Sequence, residues 1–241
     1  ESVRGESIKS ITFGIGPKRI LMWSQMHGNE STTTKAVIDL LNYLKRNVAE
    51  VSDISNVCTL KIIPILNPDG ARDYTRVNAN KIDLNRDAQD LSQPESRVLR
   101  KVFQDFEPYF CFNLHDQRTI FNVGETNKPA TVSFLAPAFD KERNNSPSRE
   151  LSMQLIAAMN NKLQEEIPGQ VGRYDDGFNA NCVGDAFQMS KTPTILFEAG
   201  HYHEDYNREE TRAFIFKALL KGVSTLLNNT ISDYSIEQYL S

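Results

Sequence analysis

The chain has little of what several broad protein classes require. It carries three cysteines, Cys58, Cys111 and Cys182, too few and too scattered for a disulfide framework. Cys58 and Cys111 lie inside apolar runs and read as small buried thiols. No apolar run approaches the ~18–20 residues of a membrane span; Ile62-Ile63-Pro64-Ile65-Leu66 is among the longest and is strand-sized. A basic block is absent as well: 27 Lys and Arg stand against 31 Asp and Glu for a net charge of −4, spread along the chain. That excludes the clustered cationic footprint of nucleic-acid binding. Neither nucleic acid nor membrane is therefore expected as a partner. With no internal repeat, low-complexity tract or linker, residues 1–241 read as a single domain. There is no signal-like segment, and the sequence begins at Glu1 rather than Met. A cytoplasmic protein is the expectation, with a periplasmic or secreted one following if a leader has been removed.

What the sequence does contain is alternation. Arg19–Ser24, Val57–Leu66, Tyr109–Leu114, Thr131–Ala136 and Thr194–Phe197 read as short strands. Between and after them, apolar residues recur every three or four positions: Val37, Leu40, Leu41, Leu44 and Val48; Leu151, Leu155, Met159 and Leu163; Phe214, Ala218, Leu219, Val223 and Leu226. That period marks helix faces. Pro94 opens a further helix reaching about Phe106, since proline suits a first turn. Asn67-Pro68-Asp69-Gly70 reads as a turn, and the polar stretch 140–149 as a surface loop. Strand and helix in this order predict an α/β fold with a mixed, largely parallel sheet.

His27, Asn67, His115 and Glu198 each fall just after a predicted strand. In open α/β sheets ligands bind outside the carboxyl ends of the strands, so these residues are expected at one sheet edge. His27-Gly28-Asn29-Glu30 sets an imidazole and a carboxylate three residues apart, and His115 offers a third donor. Two histidines and a carboxylate, with a fourth position open for water, suit a catalytic zinc ion.

The ordered set His27-x-x-Glu30, Asn67-Pro68-Asp69-Gly70, Arg76, Asp83-Leu84-Asn85-Arg86, His115 and Glu198 resembles the zinc carboxypeptidase (M14-type) superfamily, matching from about Leu21 to Gly200. The resemblance implies a three-layer α/β/α fold with a central twisted sheet and one zinc ion held by His27, Glu30 and His115. It implies Glu198 as the general base for a zinc-bound water, Arg76 as the group that steadies the oxyanion, and Asn85 and Arg86 as the pair that grips a free substrate carboxylate. Asp83 is expected to support the loop or a ligand histidine. The activity implied is hydrolysis of a C-terminal peptide bond. An N-acyl-amino-acid deacylase of the aspartoacylase and succinylglutamate desuccinylase branch is the alternative, because that branch shares the His-Gly-Asn-Glu opening and an Asp-Leu-Asn-Arg segment. A peptide or N-acyl amino acid with a free carboxylate is thus the expected partner. Two points stay open at the level of sequence. The family's mobile-loop tyrosine has no register match, leaving Tyr174 or Tyr202 to serve. The floor of the specificity pocket falls near Val183, Gly184 and Asp185, where a pocket-facing Asp185 favours basic side chains and a Gly184 floor makes the pocket roomy.

Overall fold

A computed structural model describes residues 1–46 and 54–241; Val48, expected on the first helix face, lies outside them. A seven-stranded sheet runs in the order β1-β3-β2-β4-β7-β5-β6, from β1 (Ile11–Phe13), β2 (Lys18–Ser24), β3 (Cys58–Ile63), β4 (Phe110–Asp116), β5 (Val132–Leu135), β6 (Val171–Arg173) and β7 (Thr194–Ala199). The central strands β3, β2, β4 and β7 are parallel, while β1 on β3 and β5 on β7 are antiparallel. The sheet is thus mixed and largely parallel. β1 and β6 were not anticipated: each is three residues long at a sheet margin, too short for alternation to register.

The period of two in the strands sorts the core into two layers. Ile20, Met22, Leu60, Ile62, Phe110 and Phe112 face one way, against α1 (Thr32–Arg46), α4 (Pro147–Gln164) and α6 (Glu209–Leu227). Leu21, Trp23, Ile63 and Cys111 face the other way, against α3 (Pro94–Phe106) and α5 (Val183–Met189). Two short helices, α2 (Pro68–Asp73) and α7 (Ile236–Leu240), complete the named α-helices. Among the described residues no helix is long and apolar enough to cross a membrane.

Three local expectations are corrected. Asn67-Pro68-Asp69-Gly70 opens α2 instead of forming a free turn: Pro68 sits in the first turn, and the Asn67 side chain accepts the Gly70 N–H at 2.9 Å. Asn-Pro is as good a helix start as a turn start. Gly70 is needed there because a Cβ would lie 2.4 Å from Asn67 Nδ2, and Gly28 packs so tightly on it that its own Cβ would lie 1.9 Å from the Gly70 carbonyl carbon. The stretch 140–149 is not all surface: α4 begins at Pro147, and Arg149 is buried, donating to the carbonyls of Ala136, Arg143 and Asn144 and to Asp176. Finally, His115 and Glu198 lie within β4 and β7 rather than after them, paired in parallel register. Both strands sit mid-sheet, where partners on each side extend the ladder beyond the apolar run.

Candidate active site

The end of β4 builds the site. Asp116 accepts the backbone N–H groups of Thr32 and Thr33 at 2.7 and 3.0 Å, capping the start of α1. Its own N–H donates to Glu30 Oε2 at 3.1 Å. One aspartate thereby locks the first turn of α1 onto β4 and sets Glu30 beside His115. Asn67 adds a second tie, donating through Nδ2 to the Met26 carbonyl at 3.2 Å and fixing the segment that presents His27.

His27, Glu30 and His115 converge in a buried cluster, one donor atom from each lying within 4.8 Å of the others. His27 Nδ1 is 2.9 Å from Glu30 Oε1, His115 Nδ1 is 3.0 Å from Glu30 Oε2, and the two Nδ1 atoms are 3.1 Å apart. On its far side, His27 Nε2 meets Asp83 Oδ1 at 3.0 Å. A neutral His27 that donates there keeps its Nδ1 lone pair aimed at a carboxylate and a second imidazole. Lone pairs converging in this way fit a bound cation, and two imidazoles with a carboxylate fit zinc.

The two imidazoles differ in their electrostatics. Burial opposes the charged form of His27, but hydrogen bonds to Asp83 and Glu30 outweigh it and raise the pKa. Burial likewise pushes Glu30 up, yet hydrogen bonds to His115 and His27 hold its carboxyl below the usual carboxylate range. The cluster therefore favours positive charge beside an ionised Glu30. His115 goes the other way: burial lowers its pKa, favouring the neutral imidazole that a metal requires.

Asp83 ties this cluster to the rest of the site. It accepts from His27 Nε2, from Arg76 Nε at 3.1 Å and from the Asn85 N–H at 2.9 Å. The resulting one-turn 3-10 helix, Leu84–Arg86, places Asn85 and Arg86 at the rim. Asn85 Oδ1 accepts the Val183 N–H at 3.0 Å, so the start of α5 is fastened beside it. The exposed Arg86 donates to the Asn85 carbonyl at 2.8 Å and reaches Cys182 Sγ at 3.0 Å. Arg76, about half exposed, also reaches Glu30 Oε1 at 3.4 Å.

All of the candidate residues line one cleft of about 370 Å3: His27, Glu30, His115, Arg76, Asn85, Arg86 and Glu198. Burial, and then the negative charges of Glu30 and Asp116, raise the Glu198 carboxyl well above the usual range. The structure places the residues of both open points. Tyr174 lines the cleft, whereas Tyr202 packs on Phe214 with ring centroids 5.5 Å apart. Of the other histidines, His203 is exposed and His201 contacts the Arg118 carbonyl at 3.3 Å. Gly184 and Asp185 both line the cleft. Asp185 is 7% exposed, and burial pushes its carboxyl up to about 6.

Sequence reasoning missed Asp116 and Arg208. Arg208 Nη2 donates to the carbonyls of Gln117 and Ala199 at 3.0 and 2.8 Å and to that of Gly200, clamping the ends of β4 and β7 together. Asp116 directly follows His115 and was open to notice. Arg208 stands ten residues past Glu198 in a polar stretch and carries no local signal.

The sequence matches the zinc carboxypeptidase family over residues 1–222. A probable carboxypeptidase 2 from Trichophyton verrucosum is 25% identical over 190 residues, covering 76% of this chain and 34% of the relative. The chain thus spans about a third of the length of that curated relative. A metallo-carboxypeptidase from Pseudomonas aeruginosa, solved with (2-guanidinoethylmercapto)succinic acid, superposes with a TM-score of 0.70 at 18% identity, covering 99% of this chain and 63% of that one. A succinylglutamate desuccinylase from Silicibacter sp. TM1040 superposes with a TM-score of 0.62 at 14% identity, covering 91% and 60%. At these identities the two structures speak to fold alone. The family match covers most of the sequence, and the chain belongs to the zinc carboxypeptidase family.

Proposed function

We propose that residues 1–241 act as one catalytic domain of a zinc-dependent metallocarboxypeptidase that hydrolyses a C-terminal peptide bond. The observation that carries this reading is the single cleft that joins the buried His27–Glu30–His115 cluster to Glu198 on one side and to Arg76, Asn85 and Arg86 on the other. His27, Glu30 and His115 would hold the zinc ion, which would supply Lewis acidity and lower the pKa of water at the site. Glu198 takes a proton from the attacking water and delivers it to the leaving amine nitrogen. Arg76 holds the negative charge that develops on the carbonyl oxygen, and its bond to Asp83 keeps the guanidinium oriented for that role. Asn85 and Arg86 bind the free carboxylate, the guanidinium by a planar two-point contact. Restricting that anchor to the rim beside α5 makes the enzyme an exopeptidase.

The terminal side chain enters beside Asp185. This carboxyl is nearly buried and accepts from the Asn179 N–H at a long 3.4 Å; no cation pairs with it among the described residues. A Lys or Arg side chain satisfies it, so C-terminal basic residues are the preferred substrates.

The test is a hydrolysis screen of C-terminally varied peptides beside N-acyl amino acids, each with chelator and after zinc is restored. Peptides ending in Lys or Arg should be cleaved fastest. Chelation should abolish turnover and zinc should return it. Cleavage confined to N-acyl amino acids would replace this reading with the deacylase; zinc-independent turnover would remove the metal from it.

A further inference from the structure

Arg208 breaks two local rules at once. It stands at the N-cap of α6, a position that favours short polar side chains able to accept a backbone N–H. Its φ of 60° lies in the left-handed region, which residues with a long side chain seldom adopt. The Arg208 side chain does not cap the helix. Asp205 caps it instead, accepting the N–H groups of Glu210 and Thr211 at 3.2 and 2.8 Å. A residue held in an unfavourable conformation at an unsuitable position points to what its side chain does elsewhere. Here the guanidinium turns back to the sheet, where Nη2 donates to the carbonyls of Gln117, Ala199 and Gly200.

Those carbonyls mark the end of the ladder that carries the site. Pairing of β4 with β2 stops at Leu114, opposite Ser24. Beyond it, His115 and Asp116 pair with β7 alone among the described residues, in the rungs His115–Glu198 and Asp116–Ala199. Ladder ends open at little cost, and this one holds the metal-ligand candidate and the proposed base. The bond just past it runs from the Gln117 N–H to the Ala199 carbonyl at 2.8 Å, and Arg208 donates to that same carbonyl. One guanidinium therefore closes the ladder immediately after the rung that sets Glu198 beside His115. Arg208 is not part of the cleft lining, so it reaches the site only through the backbone.

We infer that Arg208 is a positioning residue for hydrolysis: by clamping the end of the β4–β7 ladder, it holds the Glu198 carboxylate opposite the metal ligands. The inference rests on the reading of Glu198 as the base. It goes beyond that reading by assigning part of the rate to a side chain that touches neither substrate nor metal.

Hydrogen exchange and steady-state kinetics on the zinc-loaded chain test the two halves of this separately. Arg208→Met keeps an apolar stem and removes every donor. Exchange of the Gln117 amide should quicken about tenfold or more as the ladder end opens. In the same variant kcat should fall about 10^2-fold, the scale for a misplacement of about 1 Å, with KM and zinc content unchanged. In a Glu198→Gln background Arg208→Met should cost no further turnover, because the two act as a unit. Arg208→Lys keeps a cationic donor without the planar fork. It should show smaller losses of both kinds, and it carries the test where Arg208→Met does not fold. Unchanged exchange at Gln117 in both variants overturns the clamp. Faster exchange with unchanged kcat overturns the positioning role, as does zinc loss in step with kcat or a full further loss in the Glu198→Gln background. A chain that cleaves no peptide overturns the proposed activity, whereas the clamp is still judged by exchange, so the two failures remain distinguishable.

Discussion

The two sides of the cleft are built differently. His27, Glu30 and His115 are each 2% exposed, and their orientations are set by Asp83, Asp116 and one another. The opposite side, with Arg86, Tyr174 and Asp175, is open to solvent, and Arg86 is held through one backbone carbonyl and one thiol. Chemistry at a cation needs fixed donors and low dielectric, while recognition of a chain end needs access. Burial is concentrated at the donor cluster and is absent at Arg86, Tyr174 and Asp175.

Substitutions on the two sides should therefore fail in different ways. The largest effect is expected from Glu198→Gln, which keeps size and hydrogen bonding but loses the ionisable carboxyl proposed as the base. Turnover should fall by about 10^3-fold, within the range for general acid–base groups, with zinc content unchanged by elemental analysis. Retained turnover would remove Glu198 from the proposed role. On the open side, Arg86→Ala should raise KM about 10^2-fold for peptides with a free carboxylate and spare amidated ones. An equal loss for both substrates would show that Arg86 does not anchor the carboxylate.

Asp83→Asn addresses the link between the two sides. Its carboxylate orients His27 and Arg76 and also caps the Asn85 turn, so zinc affinity should drop about 10- to 100-fold in a metal-competition titration. An unchanged affinity would show that burial alone orients His27. The remaining test concerns stability rather than turnover or metal affinity. The Asp185 carboxyl, raised to about 6 by burial, ionises later in the folded chain than in the unfolded one. Folding thus loses stability as pH climbs from about 4 to about 6. Asp185→Asn should accordingly be more stable than the unaltered chain at pH 7.5, by up to about 3 kcal/mol at 1.36 kcal/mol per pKa unit, with little difference near pH 4. Thermal melts at the two pH values measure this. A variant that is less stable at pH 7.5 would point to a cationic partner for Asp185 in the folded chain.

Long, regular features were legible in the sequence and short or composite ones were not. The faces of α1, α4 and α6 emerged from a period of three and four because each buries a continuous stripe against the sheet. The margins β1 and β6 did not, since three residues carry no period. Asn67-Pro68 misled because the same dipeptide can start a turn or cap a helix, and packing of Gly28 on Gly70 favours the helix. Arg149 reads as part of a surface loop because three of its four acceptors are carbonyls, which leave no mark in a sequence, and the fourth, Asp176, lies 27 residues away.

The same division runs through the site. The sequence alone determined the donor types and their order, because a zinc ligand or a carboxylate clamp demands particular side chains whatever the fold around them. Tertiary structure decided how those side chains meet. Parallel pairing of β4 with β7 set His115 beside Glu198, and Asp116 locked Glu30 to the end of β4. The packing of Tyr202 on Phe214 left Tyr174 as the cleft tyrosine, and the start of α5 brought both Gly184 and Asp185 to the same cleft. These outcomes depend on contacts between residues up to about a hundred positions apart, where local propensity has no reach.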